Sequence, residues 1–242
     1  MPLLCLWAGS GARAADLQVH PVSIDLSGAE PRATVALRNV GREPVRLEVQ
    51  TAAWSQSPEG ELQTAPTDEI VVFPPLLTLA PGEERNLRVG TTARPGAAER
   101  TYRVFLQELP PAGKPGERQQ VRVLSRLGLP VFLAPQRPAS SAALEGLGAS
   151  GGKARFALRN AGSVRLRPAE VKLVARGAAG HTLFARPLDA WYVLAGGERR
   201  YELSLPQEQC PAIRTLAVEV TLAEGQPPLR AEQALAEGAC AP

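Results

Sequence analysis

The heptapeptide Val35-Ala36-Leu37-Arg38-Asn39-Val40-Gly41 returns about 120 residues later as Phe156-Ala157-Leu158-Arg159-Asn160-Ala161-Gly162. A second pair lies at nearly the same offset: Leu79-Ala80-Pro81-Gly82-Glu83-Glu84-Arg85 and Val193-Leu194-Ala195-Gly196-Gly197-Glu198-Arg199. A repeat of that length is close to the size of one small sandwich domain, so the chain reads as two related domains in tandem. In each copy an apolar alternation of period two runs into Asn-x-Gly, a strand that ends in a turn.

The same period governs most of the remaining chain. Val45–Val49, Asn86–Val89, Tyr102–Leu109 and Gln120–Leu124 alternate apolar and polar residues, and Ser57-Pro58-Glu59-Gly60, Pro81-Gly82 and Pro110-Pro111 punctuate them. Glycine (22) and proline (23) make up about 19% of the chain, against roughly 12% in ordinary proteins. Breakers at that density leave little room for helices, so the expected class is all-β. Residues 16–134 form the expected first domain, 135–140 a proline-rich hinge and 141–242 the second domain.

Residues 1–15 read as a signal peptide: Leu3–Ala8 is apolar and Ala12-Arg13-Ala14 has the small-x-small form of a cleavage site, although Met1-Pro2 lacks the usual opening charge. Export suits the cysteines. Cys5 would leave with the signal, and Cys210 and Cys240 would remain as an even pair able to bridge in an oxidising compartment. Closing that loop of about 30 residues would stabilise the second domain by roughly 3–4 kcal/mol. Two unpaired thiols are the alternative.

Several function classes lack their chemistry. The formal charge is only +3 over 242 residues, with no compact basic run interleaved with aromatics, so nucleic acid is not an expected partner. No apolar run approaches the roughly 20 residues of a membrane span. His20 and His181 are the only histidines, and neither adjoins a nucleophile motif or a set of metal ligands. They read as structural or solvent-facing. No catalytic residue, metal or cofactor is expected. Gly146-Leu147-Gly148-Ala149-Ser150-Gly151 matches G-x-G-x-x-G, but an alternating stretch follows where a dinucleotide site needs a helix. It reads as a flexible loop. Trp54, Phe132 and Trp191 read as core packing, and Arg165 and Arg167 as a solvated face.

Tyr102–Pro111 ends in Glu-Leu-Pro-Pro, and after a polar loop Arg126 leads to Pro130-Val131-Phe132 and Pro135. With Asn39-x-Gly41, Trp54, Phe73-Pro74-Pro75, Pro81-Gly82 and the Trp191–Gly196 run, this order resembles the periplasmic chaperones of the chaperone–usher pilus pathway. The Tyr-Arg-Val-Phe and Leu-Pro-Val-Phe forms are similar to the archaic branch, which serves spore-coat-protein-U-like subunits. The resemblance implies two immunoglobulin-like sandwiches in an L-shaped or boomerang arrangement. It implies no enzymatic activity. The protein would bind, fold and cap pilus subunits in the periplasm by lending them a strand, and deliver them to an outer-membrane usher, without stable membrane insertion.

On this sequence the lent strand would be about Gln119–Leu127, with Gln119, Val121, Val123 and Ser125 on one side and Arg122, Leu124 and Arg126 on the other. Val121 and Val123 are the expected groove-filling residues, and Leu124 competes as a core residue. The family grips a subunit's C-terminal carboxylate with two basic residues, a task suited to charge-assisted hydrogen bonds. The better-known branch draws one of them from the first strand, but Leu17–Leu26 contains no arginine or lysine. Arg103 and Arg126 take those places here. The alternative reading is a secreted structural protein, a pilus subunit or adhesion module.

Overall fold

The computed structural model describes residues 16–110, 123–223 and 227–236. In chain order the strands are β1 (Leu17–His20), β2 (Ile24–Leu26), β3 (Arg32–Asn39), β4 (Val45–Gln56), β5 (Leu62–Pro66), β6 (Ile70–Phe73), β7 (Leu76–Leu79), β8 (Glu84–Thr91), β9 (Arg100–Leu109) and β10 (Arg126–Leu133). They continue as β11 (Ala142–Ser150), β12 (Lys153–Asn160), β13 (Pro168–Arg176), β14 (Thr182–Leu188), β15 (Glu198–Ser204), β16 (Thr215–Leu222) and β17 (Leu229–Ala234). A 3-10 turn, Cys210–Ala212, is the only helical element among the described residues. The fold is all-β, as the composition and the alternation predict, and immunoglobulin-like, as the resemblance implies.

The chain divides into two compact units. The first holds residues up to Ala53, Pro66–Ala93 and Tyr102–Phe132; the second holds Trp54–Ala65, Arg94–Thr101 and everything from Leu133. In the first, a sheet ordered β1-β3-β8-β6 faces strands ordered β2-β10-β9-β4, with β7 also on β4. The chain leaves the first sheet for the second between β1 and β2, across the cis His20–Pro21 peptide. Val35 and Leu37 of β3, Leu87 and Val89 of β8, and Val104 and Leu106 of β9 are buried between the sheets. Each such side chain contributes about 1.5–3 kcal/mol relative to exposure.

The second unit packs β11-β12-β15 against β14-β13-β16-β17. Phe156 and Tyr201, opposite each other in the β12–β15 register, stack with centroids 4.7 Å apart and planes 12° apart. Cys210 is buried in this core and is disulfide-bonded; Cys240 lies outside the described residues.

The two sequence repeats turn out to be one device. Asn39 ends β3 fully buried. Its Nδ2 donates to the carbonyls of Glu43 (2.7 Å) and Leu79 (3.1 Å), and its Oδ1 accepts from the Gly41 amide (2.9 Å). Asn160 ends β12 fully buried too, donating to Val164 (2.8 Å), Val193 (2.9 Å) and Leu194 (3.0 Å) and accepting from Gly162 (2.9 Å). Leu79 and Val193 are the first residues of the second repeat. The asparagine backbone amides bind that repeat as well, at Glu83 and Gly197. A buried amide must have its partners, and here the first motif finds them in the second. At Gly162 a Cβ would stand 2.4 Å from the Ala139 carbonyl oxygen, so that turn admits only glycine.

Four expectations need correction. Gly146–Gly151 is no loop: it lies largely in β11, which pairs with β12 through a register shift between Glu145 and Gly148. The turn comes after it, at Gly151 and Gly152, both with positive φ, the conformation a tight hairpin demands. Trp191 is 42% exposed, edge-on to Tyr192 with centroids 5.2 Å apart. No strand covers Asp189–Tyr192, so alternation does not govern it, and Val193 is the residue that reaches the core. Arg165 is not on a solvated face. Its side chain is 12% exposed and its Nη1 donates to Glu99 Oε1 at 2.5 Å, while its amide donates to Oε2 at 3.1 Å. Strand over Gln120–Leu124 is not seen where it can be checked, since Val123 and Leu124 lie outside any strand. Trp54 and Phe132 are buried as expected, and His20 and His181 are exposed.

Candidate functional site

The site lies in the first unit, where β9 and β10 run side by side. On β9, Tyr102, Val104 and Leu106 face the core, so Arg103 and Phe105 lie on the opposite face. On β10, Leu129 and Val131 are buried in the core, which puts Arg126 and Gly128 on that same opposite face. Alternation in two neighbouring strands thus assembles four side-chain positions from two short segments.

Their geometry is tight. Arg103 is only 8% exposed and its Nη1 donates to the Gly128 carbonyl at 3.3 Å. The Arg126 guanidinium lies over the Phe105 ring, with Cζ 4.1 Å from the centroid, within the range of a cation–π contact. Arg126 is exposed and Phe105 half-buried. The two arginines expected from the sequence therefore both lie on this strand pair, Arg103 recessed and held on the Gly128 carbonyl, Arg126 open on the Phe105 ring. Phe105 and Gly128 were not expected as part of this cluster. Glycine inside a strand was the available signal, because it often marks a close approach.

The strand expected over Gln119–Leu127 is seen only in part. Gln119, Val121 and Arg122 lie outside the described residues. Val123 is 50% exposed, and Leu124 and Leu127 are exposed as well. Ser125 is half-buried and fastened to Glu108: the Glu108 amide donates to the Ser125 carbonyl (2.9 Å), and the Ser125 amide donates to Glu108 Oε2 (3.0 Å). A carboxylate thus takes the amide just before β10, so that amide is closed to a backbone ladder. On its other side β10 borders β2, which is three residues long against eight, too short to cover that edge. A sheet edge beside exposed apolar side chains invites pairing with another chain.

Among the described residues no group of three or more His, Cys, Asp and Glu could hold a metal, and no helix is long and apolar enough to cross a membrane.

The family of pili and flagellar-assembly chaperones, PapD N-terminal domain, matches residues 16–139. No curated protein matches the chain. Its fold is similar to that in the complex of the chaperone CsuC with the tip adhesion subunit CsuE, from archaic chaperone–usher Csu pili of Acinetobacter baumannii: 16% identity, 92% of this chain and 100% of that one, TM-score 0.61. The YadV chaperone is similar at 15% identity over 91% of this chain and 100% of its own, with a TM-score of 0.61. The complex of the Salmonella enterica SafA pilin with the SafB chaperone gives 16% identity, 91% and 98% coverage, and a TM-score of 0.57.

Proposed function

Since this chain belongs to the pili and flagellar-assembly chaperones, we propose that it caps pilus subunits by donor-strand complementation. The lent segment is about Gln119–Leu127, which ends in the first two residues of β10. Backbone hydrogen bonds along that edge supply affinity, and Val121 and Val123 fill the client's groove. Arg103 and Arg126 take the subunit's C-terminal carboxylate and thereby fix the register.

The single observation that carries this reading is the short cover on β10. Its neighbour β2 is three residues long, exposed Val123 and Leu124 come just before β10, and exposed Leu127 lies within it. Without a client, such an edge is an aggregation hazard; with one, it is an interface. Family membership favours an assembly chaperone over the pilus subunit or adhesion module that the sequence also allowed.

The setting we infer is the periplasm, with spore-coat-U-like subunits of the archaic branch as clients and an outer-membrane usher as the receiver. Cys210 and Cys240 form the bridge of the second unit; a linked peptide spanning both should appear in a non-reducing digest and vanish on reduction.

Co-expression with a spore-coat-U-like subunit tests the function. The expected result is a stoichiometric soluble complex in which amides of residues 119–127 gain protection from hydrogen exchange. A complex that forms without new protection there would remove the donor-strand reading. A subunit that stays insoluble with or without this chain would remove the chaperone reading for that client class.

A further inference from the structure

Gly128 is a residue the backbone alone does not explain. Its φ is not among the positive values found at other glycines, and glycine within a strand gives up conformational entropy and packing. Space explains it. A Cβ at this position would stand 3.1 Å from Phe105 Cε1, 3.3 Å from Cδ1 and 3.2 Å from Arg103 Nη1, closer than such contacts ordinarily come. The edge of the Phe105 ring and the Arg103 fork both approach the bare Cα.

The same ring carries Arg126, whose Cζ lies 4.1 Å from the centroid. One aromatic side chain is thus the shared neighbour of two guanidinium groups from two strands. A ring's negative face attracts a cation. An exposed arginine otherwise samples many rotamers, and each one lost on binding costs affinity. A guanidinium already held on a ring has less freedom left to lose.

We propose that Phe105 and Gly128 are positioning residues. Phe105 orients Arg126, and Gly128 leaves the space in which Arg103 stands beside the same ring, so the two arginines present a pre-organised site for one carboxylate. This deepens the anchor reading and rests on it.

The test uses the full chain with 15N-labelled arginine and acetate as the probe, with acetamide and chloride at matched concentration as controls. In the wild type the Nε–H signals of Arg103 and Arg126 respond to acetate and not to the controls. Phe105→Leu keeps apolar bulk and removes the ring, and acetate affinity at Arg126 falls about three- to five-fold. Phe105→Trp keeps the cation–π contact and restores it. Gly128→Ala displaces the ring and weakens the response at both arginines. A merely structural role would shift the melting temperature and leave the preference for acetate over acetamide untouched. Wild-type acetate response in both Phe105→Leu and Gly128→Ala overturns the positioning inference and leaves the anchor standing. No acetate response in the wild type removes the anchor and this inference together. If Gly128→Ala does not fold, the Phe105 pair decides alone.

Discussion

Asn39 and Asn160 do the same work in two units. Each ends a core strand, is fully buried, and ties the following turn to a glycine-containing hairpin through side-chain and backbone hydrogen bonds. Outside this shared frame the units diverge. In the second, β17, the last strand among the described residues, pairs with β16 along its whole length, from Val220↔Leu229 to Thr215↔Ala234. Its side chains include Arg230 and Glu232, the latter 3.6 Å from Arg176, charges of the kind that discourage edge-to-edge association. In the first, β10 borders a three-residue strand and follows exposed Val123 and Leu124. Two units with one interior design thus differ in what their last strands offer to another chain. On the donor-strand reading proposed above, the difference that matters for function lies at an edge and leaves the shared interior as it is.

The largest expected effect separates those edges. Val123→Asp would place a carboxylate in the apolar groove of a client, at a cost of about 3 kcal/mol or more, roughly two decades of affinity. Ala231→Asp on β17 should leave capture unchanged. Co-purification of a subunit with each variant, after confirming that both melt like the wild type, gives the comparison. Equal loss from both would mean that the two edges do not differ in function.

A smaller effect probes the shared interior. Asn39→Ala and Asn160→Ala each remove a buried side-chain amide's hydrogen bonds to backbone carbonyls, which costs about 1–3 kcal/mol. The loss should be confined to the unit that holds the asparagine, as read by hydrogen exchange of β3 and β8 against β12 and β15. A loss spread over both units would contradict two independent cores.

The repeat was legible because it is local: period-two alternation and an Asn-x-Gly ending need only neighbouring residues to be recognised. That the two motifs of each copy grip one another was not legible, since Asn39 and Leu79 meet only after the sheets pack. The same limit explains the errors. Trp191 reads as core by composition, yet its stretch makes no ladder and Val193 takes the inward place. Arg165 reads as solvated because the sequence gives no sign that Glu99 approaches it. At the candidate site the two arginines were visible as residues on adjacent strands. Phe105 and Gly128, which join them, were not, because register between β9 and β10 decides what lies opposite.

The smallest expected effect lies in the second repeat, where the copies carry different chemistry. Glu83 in the first unit accepts from the Ala80 amide at 2.7 Å and from Arg85 Nε at 2.7 Å. The Ala80 bond first, and then Arg85, hold its carboxyl below its ordinary pKa. The matching position in the second unit is Gly197, which has nothing to protonate. A carboxylate with a lowered folded-state pKa contributes stability that is fully present above the unfolded value, about 4.3. That contribution is lost as pH falls through the folded value. On acidification below about pH 4, amide exchange at Ala80 should therefore quicken relative to Leu194 and Gly197, beyond the intrinsic change. Glu83→Gln should remove that difference between the turns. Because Glu83 is only half-buried and Arg85 is exposed, salt should shrink the Arg85 contribution first and leave the Ala80 cap as the part that persists.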